Sequence, residues 1–161
     1  MKRMLWVLVA LVMSACGGNN DPVLNAVNDE ILDLEYESFY VDRTDVYPGE
    51  TIWIEWRAEG ALYFDARLYV SKDDRIDEAD VLVVDEDCGV ERGDHCTSDE
   101  YVDFFCHYQS DNSFTCREDG EILQRNNLTD FFDALPQDAF LILQLCNGND
   151  CERRSWPMLF R

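Results

Sequence analysis

From Leu34 onward, apolar and polar residues alternate with period two, the spacing of strands with one buried face. Tyr36 to Asp42 alternates around aromatic and β-branched residues, and the turn signal Tyr47-Pro48-Gly49-Glu50 leads into Thr51 to Arg57, where Ile52, Ile54 and Trp56 share a face. Leu62, Phe64, Ala66, Leu68 and Val70 repeat the alternation, with Tyr63, Asp65, Arg67 and Tyr69 turned outward. Further strands are predicted over Val81 to Val84, Tyr101 to Tyr108, Phe114 to Arg117, Ala139 to Cys146 and Ser155 to Phe160. Between them, Leu128, Phe131, Phe132 and Leu135 fit one helical face, with Asn127 as cap and Pro136 as stop. Seven or eight short strands without βαβ alternation predict an all-β chain: an immunoglobulin-like antiparallel β-sandwich over residues 34–161, with one short helix.

The first sixteen residues have a different pattern. Lys2 and Arg3 precede an apolar run from Leu5 to Met13, the length of a signal-peptide core and too short to span a bilayer. Residues 1–15 are therefore expected to be an export signal. Met13-Ser14-Ala15-Cys16 resembles the lipobox of bacterial lipoproteins, in which large apolar and small residues precede a cysteine whose thiol receives lipid. The resemblance implies cleavage before Cys16, acylation there, and a stable membrane anchor, because several acyl chains hold where one binds only marginally. Gly17 follows the cysteine where an aspartate commonly retains such proteins in the inner membrane, so the implied location is the bacterial outer membrane, on its periplasmic face or at the cell surface. Residues 16–33 then form a tether, with Asp21-Pro22 and Val23, Val27 and Ile31 spaced as a short helix over 22–32.

Two stretches, Tyr47 to Trp56 and Arg67 to Leu82, resemble the CARDB group of bacterial immunoglobulin-like modules, whose strands read Pro-Gly-polar then alternating apolar, and Leu-Tyr-x-Ser-x-Asp with a second aspartate following. That resemblance covers about 40 residues and implies an adhesion or spacer module of the cell surface.

Charge narrows the partners. Beyond the signal, 34 acidic residues face 11 basic ones, a formal charge of −23, which repels nucleic acid and anionic headgroups. Six cysteines remain beyond Cys16, an even number that in an exported chain reads as three disulfides. Fifteen pairings exist, and local geometry favours neighbours. Cys146 and Cys151 flank a four-residue turn, Cys106 and Cys116 lie symmetrically about Ser110-Asp111-Asn112 with Asn112 suited to the left-handed position, and Cys88 and Cys96 would close a loop.

The chemistry-bearing residues form no catalytic set: His95 and His107 are the two histidines, and no nucleophile elbow, metalloprotease helix or phosphate loop occurs. The expectation is a non-enzymatic chain without cofactor or metal. Asp73, Asp74, Asp77, Glu78 and Asp80 supply oxygen ligands of the kind calcium takes, but without the spacing of an EF-hand, so Asp73 and Asp77 are expected to cap turns. Outward aromatics Trp53, Tyr63 and Tyr69, placed on neighbouring strands, are expected to form a flat face for a protein or glycan partner. The leading expectation is a lipid-anchored binding or adhesion module of the envelope. The alternatives are a spacer lipoprotein without specific ligand, and a calcium-binding surface module.

Overall fold

A computed structural model describes residues 34–89, 96–118 and 120–161. The signal, Cys16, the 22–32 segment and His95 lie outside the described residues. Ten strands follow in order: β1 (Glu35–Val41), β2 (Asp45–Val46), β3 (Thr51–Glu59), β4 (Tyr63–Ser71), β5 (Val81–Gly89), β6 (Val102–Tyr108), β7 (Ser113–Glu118), β8 (Glu121–Asn127), β9 (Gln137–Asn147) and β10 (Asp150–Phe160). They form two five-stranded sheets, ordered β1-β3-β6-β7-β8 and β2-β10-β9-β4-β5. All pairings are antiparallel except the two-residue contact of β2 with β10.

The alternation read from the sequence is the alternation of burial. On β3, Ile52, Ile54, Trp56 and Ala58 are buried while their neighbours are not, and on β4 Phe64, Ala66, Leu68 and Val70 do the same. These faces meet between the sheets, where Trp56 packs edge-on against Phe64 at 5.9 Å between ring centres. Leu62, expected inward, is exposed; the chain instead enters the core at Ala61, fully buried between β3 and β4. That buried residue marks the crossing from one sheet to the other, so consecutive strands β3 and β4 are not paired.

All three disulfides join sequence neighbours: Cys88–Cys96, Cys106–Cys116 and Cys146–Cys151. In the second and third, the cysteines are direct cross-strand partners with Cα atoms 4.0 and 4.1 Å apart. Such close pairs are the narrow, non-hydrogen-bonded kind. Asn112 takes the left-handed conformation at φ 59°, as its place in the β6–β7 turn requires. Gly148 does so in the β9–β10 turn at φ 64°.

The short helix over 128–135 is not formed, and no helix occurs among the described residues. One turn begins: Asn127 Oδ1 accepts the Thr129 amide at 2.8 Å, and the Phe131 and Phe132 amides both donate to the Leu128 carbonyl at 3.1 Å. Pro136 disfavours helical backbone at Leu135, leaving too few residues for a second turn. Leu128 and Phe131 are buried and Phe132 packs 5.2 Å from Phe160, whereas Leu135, the fourth member of the expected face, is exposed.

Two strands had no signature in the alternation. β8 (EILQRNN) has little burial contrast, and is a strand because the Gly120 turn returns it along β7. The first half of β10, Asp150 to Ser155, is exposed throughout and is held by regular pairing to β9.

Candidate binding surface

The three aromatics expected to share a face are divided between the two sheets. Trp53 lies on β3 in the first sheet, and Tyr63 and Tyr69 lie on β4 in the second. Outward residues of different sheets of a sandwich point away from each other, so Trp53 cannot join the two tyrosines in one face. Tyr63 also has structural work. It is the cross-strand partner of Gly89, and a Cβ at residue 89 would run into its ring. Tyr69 is half-buried beside Arg67 and Asp85, and burial raises its hydroxyl pKa above the usual tyrosine value.

Trp53 instead has neighbours that the strand-by-strand reading did not select. Its cross-strand partner on β6 is Phe105, whose partner on β7 is Arg117, whose partner on β8 is Ile122. Phe105 and Ile122 are 46% and 57% exposed, so this row is open to solvent across four strands, apolar on β3, β6 and β8 and interrupted by the exposed Arg117 on β7. Tyr40, on β1, extends it: its ring stands edge-on to Trp53 at 5.9 Å and to Trp156 of β10 at 5.8 Å. The signal that could have found Phe105 was its position. Phe104 is inward with Val102 and Cys106, so the adjoining Phe105 has to face out.

The rows flanking the strip differ: one is acidic, and the other holds one permanent cation, Arg125, which is ion-paired with Asp111 at 3.7 Å. On one side the register aligns Tyr40, Glu55 and Asp103; on the other it aligns Thr51, His107, Thr115 and Arg125. Asp103 fixes the Trp53 ring by accepting its indole N–H at 2.8 Å, and Asp42 accepts the Trp53 backbone amide at 3.0 Å. His107 Nδ1 lies 3.1 Å from the Thr51 hydroxyl. A strip of fixed rings with carboxylates along one side and the Thr51–His107 pair along the other can stack a ring or an apolar side chain and orient its polar edge.

The acidic loop between β4 and β5 behaves as turn chemistry predicts. Asp73 Oδ1 accepts the Arg75 amide at 2.8 Å, Asp77 Oδ1 accepts the Ala79 amide at 2.7 Å, and Asp80 accepts the Asp77 amide at 2.7 Å. Among the described residues no group of three or more His, Cys, Asp or Glu side chains is arranged to hold a metal ion. On the outer face of the second sheet, Arg67 is ion-paired with Asp85 at 2.9 Å and Asp65 at 3.2 Å. Burial raises the Asp65 pKa despite that guanidinium. No known protein family and no curated protein matches this chain.

Proposed function

We propose that this chain is a lipid-anchored, non-catalytic binding module of the bacterial envelope, engaging a protein or glycan through the strip centred on Trp53 and Phe105. The exposed strip carries the reading: solvent-facing apolar rings held in fixed orientation on a rigid sheet form a contact surface, and nothing in the core requires them there. Three disulfides support the location, since an oxidising compartment outside the cytosol is where they persist. The signal over 1–15, lipidation at Cys16, the tether over 16–33 and the outer-membrane address come from the lipobox resemblance alone.

The immunoglobulin-like part of the reading is supported by the second sheet, where β10-β9-β4-β5 has the G-F-C-C′ order of variable-type domains. The first sheet departs from A-B-E-D, because the strand beside β3 is the first of the β6-β7-β8 meander and not the last strand before β9. The stretches similar to CARDB modules fall on β3 and on β4 with its acidic loop.

The test uses the full chain in detergent, titrated with soluble envelope polysaccharide fragments and with purified envelope proteins. Specific binding should weaken at least tenfold in Trp53→Ala and in Phe105→Ala, with Tyr63→Ala and Tyr69→Ala unchanged in affinity where they fold. Saturable binding indifferent to Trp53 and Phe105 would remove the strip as the site, and no binding to any envelope component would leave the spacer reading. Radiolabelled palmitate should enter the wild type but not Cys16→Ser; absence of label from both would sink the anchor.

A further inference from the structure

The sandwich is open along one side, where β1 of the first sheet passes β10 of the second. β2 covers only Leu159 and Phe160 of β10, so among the described residues the stretch Cys151 to Pro157 is paired on one side alone, by β9. The direction of its free groups follows from the register. Leu159 and Arg161 donate their amides to Thr44 and Val46, away from β9, and the pairing of β10 with β9 has no register shift. Residues two, four and six positions before Leu159 therefore face the same way. Pro157 brings no N–H, which leaves the amides of Ser155 and Arg153 directed at the open edge.

Beside this edge lies a groove of about 360 Å³, with Tyr36, Glu37, Ser38 and Phe39 on the β1 side and Arg154, Ser155 and Trp156 on the β10 side; the Glu37 carboxylate is neutralised by Arg57 at 2.7 Å. Its walls hold polar atoms that the fold leaves unused: Ser38 Oγ and Trp156 Nε1 are buried without a hydrogen-bond partner. Arg153 and Arg154 are the one adjacent pair of basic residues among the described residues, in a chain whose acids outnumber its bases 34 to 13. Arg154 is held at the edge, with its guanidinium 4.9 Å from the centre of the Tyr36 ring, 3.0 Å from the Arg153 carbonyl and 3.8 Å from the exposed Glu152 carboxylate, a weak pair that an incoming acid would have to displace.

We infer that this edge is a strand-addition site: an extended acidic peptide segment of a partner protein pairs with β10 through the Arg153 and Ser155 backbone, its carboxylates meeting Arg153 and Arg154. Main-chain pairing supplies affinity in such complexes and alternate side chains supply selection. The inward and outward placement of the two arginines would select acids on both faces of the added strand. This site adjoins the strip, since Trp156 lines the groove and stands against Tyr40, but it uses the β10 backbone and not the rings of Trp53 and Phe105.

The probes are two capped octapeptides, one alternating valine with glutamate and one alternating valine with lysine, added to the full chain in detergent, with amide exchange read by NMR. The glutamate peptide should slow exchange at Arg153 and Ser155 at least tenfold and bind at least tenfold more tightly than the lysine peptide. Ser155→Pro, which removes only an amide directed away from β9, should abolish binding. R153E combined with R154E should reverse the preference and so carries the test if Ser155→Pro does not fold. Trp53→Ala should leave these effects intact, which separates this site from the strip. Equal protection by both peptides, protection confined to Trp53 and Phe105, binding that survives Ser155→Pro, self-association of the chain through β10, or no protection at millimolar peptide would each overturn the inference.

Discussion

The hairpins β6–β7 and β9–β10 are each stapled by a disulfide between directly opposed cysteines, yet one bond is wholly inside the sandwich and the other lies on an outer face. Cys106 and Cys116 are fully buried on the inner face of the first sheet, level with Phe104 and Tyr108. Cys146 and Cys151 lie on the outer face of the second, where Cys146 is covered but Cys151 is exposed, so this bond is half open to water. Identical local geometry thus serves packing in one hairpin and only chain closure in the other. The difference also governs what each hairpin shows the solvent. With the disulfide turned inward, β6 presents Phe105 outside, whereas β10 keeps a polar exterior and an open edge.

Removing the two bonds separates these roles. By chain entropy alone, loops of this size contribute about 2–3 kcal/mol each. The double variant Cys106→Ala, Cys116→Ala adds the cost of sulfur-sized voids in a close-packed core, for a total of about 4 kcal/mol. Cys146→Ala with Cys151→Ala should cost about 2 kcal/mol. Urea unfolding followed by tryptophan fluorescence measures both, and equal losses would show that burial of the first bond adds nothing.

The turns should rank the same way. Asn112 accepts the hydroxyl of fully buried Tyr108 at 3.0 Å, and its own carbonyl accepts the Leu128 amide at 2.8 Å. Asn112→Ala leaves that hydroxyl unpaired and puts alanine at positive φ, a loss of about 2 kcal/mol. Gly148→Ala has open space around its Cβ and only the backbone penalty, about 1 kcal/mol. Both are read from urea midpoints at neutral pH.

A third contrast appears in alkali. Tyr36 donates its hydroxyl to the Leu143 carbonyl of β9 at 2.5 Å, and burial holds its pKa far above the ordinary value near 10, outweighing the nearby Arg154 guanidinium. Burial also raises Tyr108. Below pH 10 both states keep these protons, so the stability they contribute is fully present and does not vary with pH. Above pH 10 the unfolded chain releases a proton that the folded chain retains, and stability falls by up to about 1.4 kcal/mol per pH unit for Tyr36. Tyr36→Phe should lose about 1 kcal/mol at pH 7 with the hydrogen bond, and should show a shallower decline between pH 10 and 11. An unchanged alkaline slope would contradict retention of that proton.

For the strands that alternate, the sequence revealed which face is buried but not which sheet the strand joins. Period two is a local property, and it placed Ile52, Ile54 and Trp56 inward correctly because each strand has one wet face. Cysteine pairing was legible for the same reason, since the partners lie within one hairpin or loop. Sheet membership is decided by distant partners, so Trp53 and Tyr63, ten residues apart, were assigned to one face although the crossing at Ala61 divides them. β8 and the first half of β10 were invisible because pairing, not amphipathicity, makes them strands. At the candidate site the outward position of Phe105 follows from the inward Phe104 beside it, but its pairing with Trp53 and the contact of Tyr40 need the register.

The connection between the two hairpins gives the smallest effect. After β8, the single turn Leu128 to Phe132 fills the end of the core, and Lys72 from the β4–β5 loop lies over it, 5.6 Å from the centre of the Phe131 ring and 2.7 Å from Asp133. The ion pair is exposed, so water and salt screen most of it, and its long side chain loses freedom in holding one geometry. Since Phe131 is already buried by the core behind it, Lys72→Ala should cost no more than about 0.5 kcal/mol, and less in 0.5 M salt. A loss as large as that of Asn112→Ala would mean that the charge, and not the burial of Leu128 and Phe131, holds this connection in place. The unfolding midpoints of the two variants, measured side by side at low and high salt, decide between them.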